Sequence, residues 1–142
     1  GYCSVHRRFK VEDVYRIRAE YPGIKVIVHP ECSYPVVHAS DESGSTERII
    51  RVIKESEPGS LWAVGTEAHL IKRIGETIPD KTVLQLSDRG YQCVTMSQTT
   101  PEKLLDVLSA LSEGRIINRI QVDASTAADA HTALKRMLDI TG

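Results

Sequence analysis

The chain has 142 residues, 41% apolar and 26% charged, with a formal net charge of −1. That length suits one domain around one core, and the balance excludes a disordered chain and the basic field of a nucleic-acid binder. No apolar run approaches the ~18 residues of a membrane helix, and the first residues lack the order of a secretory signal, so a cytoplasmic protein with no membrane partner is expected.

The expected elements alternate. Val11 to Tyr21 reads as an amphipathic helix with Val11, Val14, Ile17 and Tyr21 on one face, stopped by Pro22-Gly23. The β-branched run Ile24 to Val28 reads as a buried strand. A short helix is expected over Ser33 to Ala39, then a loop over Asp41 to Gly44. The next helix spans Ser45 to Glu55, with Ile49, Ile50, Val52 and Ile53 inward. Leu61 to Val64 is a second strand, followed by a helix from Gly65 to about Gly75. Thr82 to Leu86 is a third strand. Ser87 to Gln98 has no helical period and reads as a functional or connecting loop carrying Cys93.

Thr100-Pro101 opens another helix, with Leu104, Leu105, Leu108 and Leu111 as its apolar face. A short strand is expected over Arg115 to Val122, and a last helix over Asp123 to Ile140. Strand-helix alternation of this kind predicts a parallel sheet with helices on both faces. The fold class is therefore α/β: a three-layer α/β/α domain with a short parallel sheet. It is read as one domain over residues 1–142, with a core at about 4–92, a cysteine loop at about 87–98 and a helical segment at about 100–142.

Strand ends and helix starts concentrate reactive side chains. Cys3 stands with His6, His29 with Glu31, Ser45 with Thr46, and Thr66 with Glu67. In a parallel sheet the last three pairs share one edge, where α/β folds place ligands. His29 and Glu31 can exchange protons with a substrate, or be a satisfied histidine and a solvated carboxylate. Ser45 and Thr46 suit a phosphate or carboxylate at a helix N-terminus, or simple capping. Glu67 reads as a helix N-terminal charge, and His38, His69 and His131 as surface or structural residues. Cys3, Cys32 and Cys93 are odd in number and widely spaced, which argues against a disulfide framework and for a reducing compartment; by composition alone they read as three buried thiols acting as small apolar groups.

Five ordered segments carry a family likeness. Gly1-Tyr2-Cys3-Ser4-Val5-His6-Arg7-Arg8-Phe9, Val28-His29-Pro30-Glu31-Cys32, Gly44-Ser45-Thr46, Gly65-Thr66-Glu67 and Cys93-Val94-Thr95-Met96 resemble, in order, segments of the quinolinate synthase family. Arg136-Met137-Leu138 is similar to that family's closing helix. The cysteine loop departs from the family's common form, with Val94-Thr95-Met96-Ser97 where Pro-Asn-Met-Lys often stands.

The resemblance implies one domain of a pseudo-threefold α/β fold, the third, plus the C-terminal segment. It implies a [4Fe–4S] cluster held by one cysteine per domain, with Cys3 and Cys93 as two metal ligands, Cys32 as none, and the third ligand missing from this chain. It implies condensation of iminoaspartate with dihydroxyacetone phosphate to quinolinate in NAD biosynthesis, with the isolated chain inactive. His6, His29 and Glu31 fall on catalytic positions, and Ser45, Thr46, His29 and Glu31 on substrate-binding ones. The implied partners are the absent N-terminal domains and an iminoaspartate-supplying L-aspartate oxidase. The alternative is a non-catalytic α/β module that holds a phosphorylated small molecule at the Ser45–Thr46 helix start.

Overall fold

The computed structural model describes residues 3–141, and at Thr141 only the backbone. The chain forms two compact units, one ending at Gln98 and the other beginning at Thr99.

In the first unit a 3-10 turn at His6–Arg8 precedes α1 (Val11–Glu20), β1 (Lys25–Val28), α2 (Tyr34–Ala39), β2 (Glu42–Ser43) and α3 (Thr46–Glu55). Then come β3 (Leu61–Gly65), α4 (Ala68–Thr77), β4 (Thr82–Gln85) and a 3-10 turn at Met96–Gln98. The four strands lie in the order β2-β1-β3-β4, and every pair is parallel. The expected parallel sheet is present, with β2 as a strand that the sequence did not suggest.

Alternation along β1 and β3 separates two cores, because successive side chains in a strand point to opposite faces. Val26, Val28 and Ala63 pack with Val14 and Ile17 of α1 and Val36 of α2. Ile27, Trp62 and Val64 pack with Ile49 and Ile53 of α3 and Ile71 and Ile74 of α4. Helices on both faces make the three-layer α/β/α arrangement. Of the four residues expected inward on α3, Ile49 and Ile53 are fully buried, and Ile50 and Val52 pack partly against that core.

The Asp41 to Gly44 stretch, expected as loop, contains β2. Glu42 pairs with Ile27 and Ser43 with Val28. Its side chains are polar, so nothing in its composition marks a strand. The backbone decides instead: Asp41 N–H donates to Val26 C=O at 2.9 Å and Gly44 N–H to Val28 C=O at 3.1 Å. The Asp41 carboxylate adds a bond from Val26 N–H at 2.7 Å. The helix expected from Gly65 starts instead at Ala68, because Gly65 completes β3 and Glu67 is the N-cap.

The second unit contains α5 (Pro101–Ser112) and α6 (Ala124–Thr141). Thr100 caps α5 by accepting from Lys103 N–H at 3.3 Å. Asp123 Oδ1 accepts from Thr126 N–H at 2.9 Å at the start of α6. The strand expected over Arg115 to Val122 is absent. No neighbouring strand pairs with it among the described residues, and Asn118 has φ 57, a left-handed conformation that breaks extended backbone. The apolar stripe of α5 is present as read, yet Leu104, Leu105, Leu108 and Leu111 are exposed.

Gly65 ties the sheet to the edge that follows it. A Cβ there would lie 2.7 Å from Val28 Cγ1 and 3.0 Å from Leu86 Cδ2. Both neighbours are fully buried, so neither can retreat freely. Gly65→Ala is expected to lower stability by about 1–3 kcal/mol through overpacking, measured by thermal melts against the parent. An unchanged melting temperature would mean that Val28 and Leu86 yield without cost.

Candidate active site at the strand ends

Each strand of the parallel sheet runs toward the same edge, and each delivers part of one site. After β1 come His29 and Glu31, after β2 Ser45 and Thr46, after β3 Thr66 and Glu67, and after β4 the loop with Cys93. Cys3 and His6 reach the same edge from the segment before α1. A cavity of about 380 Å³ opens there, lined by Cys3, His6, Thr46, Thr66, Glu67 and Cys93. Val5, Leu70 and Met96 supply apolar wall, and His69 and Arg73 of α4 supply polar groups.

His6 is the buried centre of the polar network. Its Nδ1 lies 3.0 Å from Glu31 Oε2 and its Nε2 3.2 Å from Thr66 Oγ1. The hydrogen bond from His6 holds the Glu31 carboxyl below the usual carboxylate range. Glu31 is therefore ionised at neutral pH and only accepts, which places the His6 proton on Nδ1. The His6 and His29 rings stack at 4.1 Å with an interplanar angle of 9°.

His29 is oriented by its own turn: Glu31 N–H donates to His29 Nδ1 at 3.2 Å. That nitrogen carries no proton, so neutral His29 bears its proton on Nε2. Burial, reinforced by the neighbouring His6, keeps the ring's pKa below the ordinary histidine value. Glu31 thus stands behind His6, one hydrogen bond from the cavity, and His29 stands beside it through ring stacking.

Ser45 and Thr46 divide their work. Ser45 Oγ accepts from Arg48 N–H at 3.3 Å, as an N-cap does, while Thr46 lines the cavity. Glu67 is a helix N-terminal charge as read, and more. Its Oε2 accepts from His69 N–H at 2.8 Å and its Oε1 from Cys93 N–H at 3.3 Å. Burial opposes ionisation of Glu67, but these bonds and one from the His69 ring outweigh it and hold the carboxyl below its ordinary value.

The three thiols have different surroundings. Cys3 and Cys93 are half-buried on the cavity, whereas Cys32 is buried in the α1–α2 core with its Sγ 3.7 Å from Gly65 C=O. Burial pushes the Cys32 thiol up to about 12. The Cys93 thiol shares a 3.1 Å hydrogen bond with Thr95 Oγ1, which draws it below its ordinary value. Cys3, His6 and Glu31 each offer a ligand atom, all within 4.8 Å of one another.

Of the pairs expected at one edge, Thr46, Thr66 and Glu67 line the cavity and His29 and Glu31 stand against His6; Cys3, His6 and Cys93, grouped with them by the family resemblance, line it too. His69, read as a surface or structural residue, belongs to this site: its Nδ1 lies 2.8 Å from Glu67 Oε1. Arg73 received no reading at all. The signal for both was spacing, since residues four apart on a helix share a face, and Glu67 marks where that face meets the strand edge. His38 is exposed and does not line the cavity, and His131 is an exposed residue of α6. No helix among the described residues is long and apolar enough to cross a membrane.

Residues 1–139 match the family model described as quinolinate synthetase A protein. The chain is 44% identical to the quinolinate synthase of Acidobacterium capsulatum over 144 residues, which covers 100% of this chain and 39% of that relative. It is 43% identical to the quinolinate synthase of Listeria monocytogenes over 141 residues, 99% of this chain and 38% of the relative. Against the quinolinate synthase of Corynebacterium glutamicum the identity is 45% over 140 residues, 99% and 36% of the two chains. The chain therefore spans less than two fifths of the length of these relatives.

The contrast between Cys32 and Cys93 sets an expected outcome. Iodoacetamide at about pH 8, where a thiolate reacts and a thiol does not, should label Cys93 well before Cys32. Mass spectrometry of the cysteine peptides checks this. Equal rates would contradict the burial of Cys32.

Proposed function

The chain belongs to the quinolinate synthetase A protein family, and on that premise we propose that it is the C-terminal part of a quinolinate synthase acting in cytoplasmic NAD biosynthesis. The reaction is the condensation of iminoaspartate with dihydroxyacetone phosphate to quinolinate. The observation that carries the reading is the convergence on one cavity of two thiols, a helix start and His6, which Glu31 backs through a hydrogen bond.

The donor set fits a [4Fe–4S] cluster in kind. Iron–sulfur centres are held by cysteine thiolates, and Cys3 and Cys93 present two half-buried thiols to the same cavity, the second with a lowered pKa. Cys3 and Cys93 would hold the cluster, with a further ligand supplied from the rest of the longer polypeptide. When bound, it supplies a Lewis-acidic iron that polarises a substrate oxygen.

The chain's own residues handle protons and charge. Glu31, ionised and held by His6, is the base that takes a proton from substrate. His6 bridges Glu31 and Thr66, so it fixes the base and gives it a path toward the cavity. His29 keeps a proton on Nε2 for donation to a substrate oxygen. Thr46 at the N-terminus of α3 and Arg73 on α4 suit the phosphate or carboxylate of the substrates. Ser45 retains a hydroxyl proton beside its capping bond and can donate it to the same anion. An L-aspartate oxidase is the proposed source of iminoaspartate.

The 142-residue chain by itself is expected to form no quinolinate, since two thiols and one wall of a crevice do not complete the site. The test is a chimera in which this chain replaces the matching stretch of the Acidobacterium capsulatum relative. Cys3→Ser and Cys93→Ser should lose bound iron and turnover together, and Cys32→Ser should keep both. Glu31→Gln should keep its iron and lose about 10²–10⁴-fold in kcat, the worth of a general acid–base group. Quinolinate made by the isolated chain, iron retained after Cys93→Ser, or a normal kcat after Glu31→Gln would each overturn part of the proposal.

A further inference from the structure

Glu67 makes more bonds than a helix cap needs. Its carboxylate is nearly buried, with 10% of the side chain exposed. Oε2 accepts from the N–H groups of His69 at 2.8 Å and Leu70 at 3.4 Å, which caps α4. Oε1 turns the other way and accepts from Cys93 N–H at 3.3 Å and from the His69 ring at 2.8 Å. A single carboxylate therefore joins the start of α4 to a residue 26 positions later.

A second bond runs parallel to the first. Ala68 N–H donates to Tyr91 C=O at 3.0 Å. The cysteine loop is thus tied at two alternate residues to two adjacent residues after β3. Within the loop, Cys93 C=O accepts from Ser97 N–H at 3.0 Å and from Ser97 Oγ at 2.8 Å. Tyr91 also meets Phe9 edge to face at 5.0 Å. That contact joins the loop to the segment carrying Cys3. Both peptide groups flanking the Cys93 side chain are consequently fixed, one by Glu67 and one by Ser97.

We propose that Glu67 is the positioning residue for Cys93: one carboxylate oxygen caps α4, and the other holds the Cys93 peptide N–H so that the thiol faces the cavity shared with Cys3. The role deepens the proposed function, because it matters for catalysis only if Cys93 is a cluster ligand. His69 serves the same oxygen from the solvent side and limits its rotation. An ordinary cap needs only an oxygen near the helix start, which Asp, Ser or Thr supplies with a shorter side chain. Reach across to the loop is the reason for glutamate.

That difference in reach gives the test. Glu67→Asp keeps the charge and the cap but is one methylene too short to hold the loop. Amide hydrogen exchange, followed by NMR on the iron-free 142-residue chain, reads both ends separately. Cys93 N–H should exchange about tenfold faster in Glu67→Asp, as expected for loss of a hydrogen bond to a charged group. The amides of His69 and Leu70 and the melting temperature should stay near the parent's. Glu67→Ala should release both ends and lower the melting temperature as well.

Parent-like protection of Cys93 in Glu67→Asp would overturn the proposal. So would a general acceleration of all amides, which would make Glu67 a stabiliser of the whole unit. The measurement uses no iron, so its failure is distinct from failure of the cluster reading, which the Cys93→Ser chimera decides.

Discussion

The buried His6 ring is the interaction on which the site depends. A histidine inside a protein must satisfy both nitrogens or leave a polar atom stranded at a cost of about 1–3 kcal/mol. His6 satisfies them with groups from two different strand ends, Glu31 after β1 and Thr66 after β3. The bonds fasten the segment carrying Cys3 to a sheet edge that it does not otherwise join by strand pairing. Among the described residues no buried side-chain nitrogen or oxygen lacks a partner, so the network is closed. The same bonds that dock the segment also lower the Glu31 pKa and fix the His6 tautomer. Structure and chemistry here are one arrangement.

Two carboxylates on this edge show how environment divides roles. Glu31 is 29% exposed at its side chain and is held at one oxygen by His6, leaving the other free to act. Glu67 is more buried, and both of its oxygens are occupied by N–H donors. A carboxylate saturated with donors is a poor base, since its lone pairs are already committed. The proton-transfer role therefore falls to Glu31 and the holding role to Glu67, although both are ionised.

The fold was legible where a single pattern carried it. The β-branched run at β1, the short apolar run at β3 and the helical periods of α1, α3 and α4 set the alternation, and hence the parallel sheet. β2 was illegible because Glu42 and Ser43 enter the sheet through backbone bonds to β1, with no apolar side chains to announce them. The Arg115 to Val122 stretch misled for the opposite reason. Its isoleucines suit a strand, but extended backbone needs a partner, and Asn118 turns the chain away. In the site, His29, Glu31 and Cys93 stood out because they follow strands, and Cys3 and His6 because the segment that carries them resembles the family's. His69 and Arg73 did not, because a polar residue on a helix ordinarily faces solvent. Only the turn from Glu67 into α4 places them on the cavity.

The thiols make the final point about what a motif can and cannot say. Cys32 follows Glu31 directly, and by sequence proximity it is the cysteine nearest a catalytic group. The chain reverses that ranking in the turn after β1: Glu31 points toward His6, while Cys32 turns into the core and bonds Gly65 C=O. Removed from water, its thiol resists ionisation and has little value as a metal ligand. Cys93 lies 62 residues from Glu31 by numbering yet shares a cavity with His6, its partner. Availability of a thiolate thus follows from the donors that surround the sulfur, and those donors are set by the sheet edge and not by closeness in the chain.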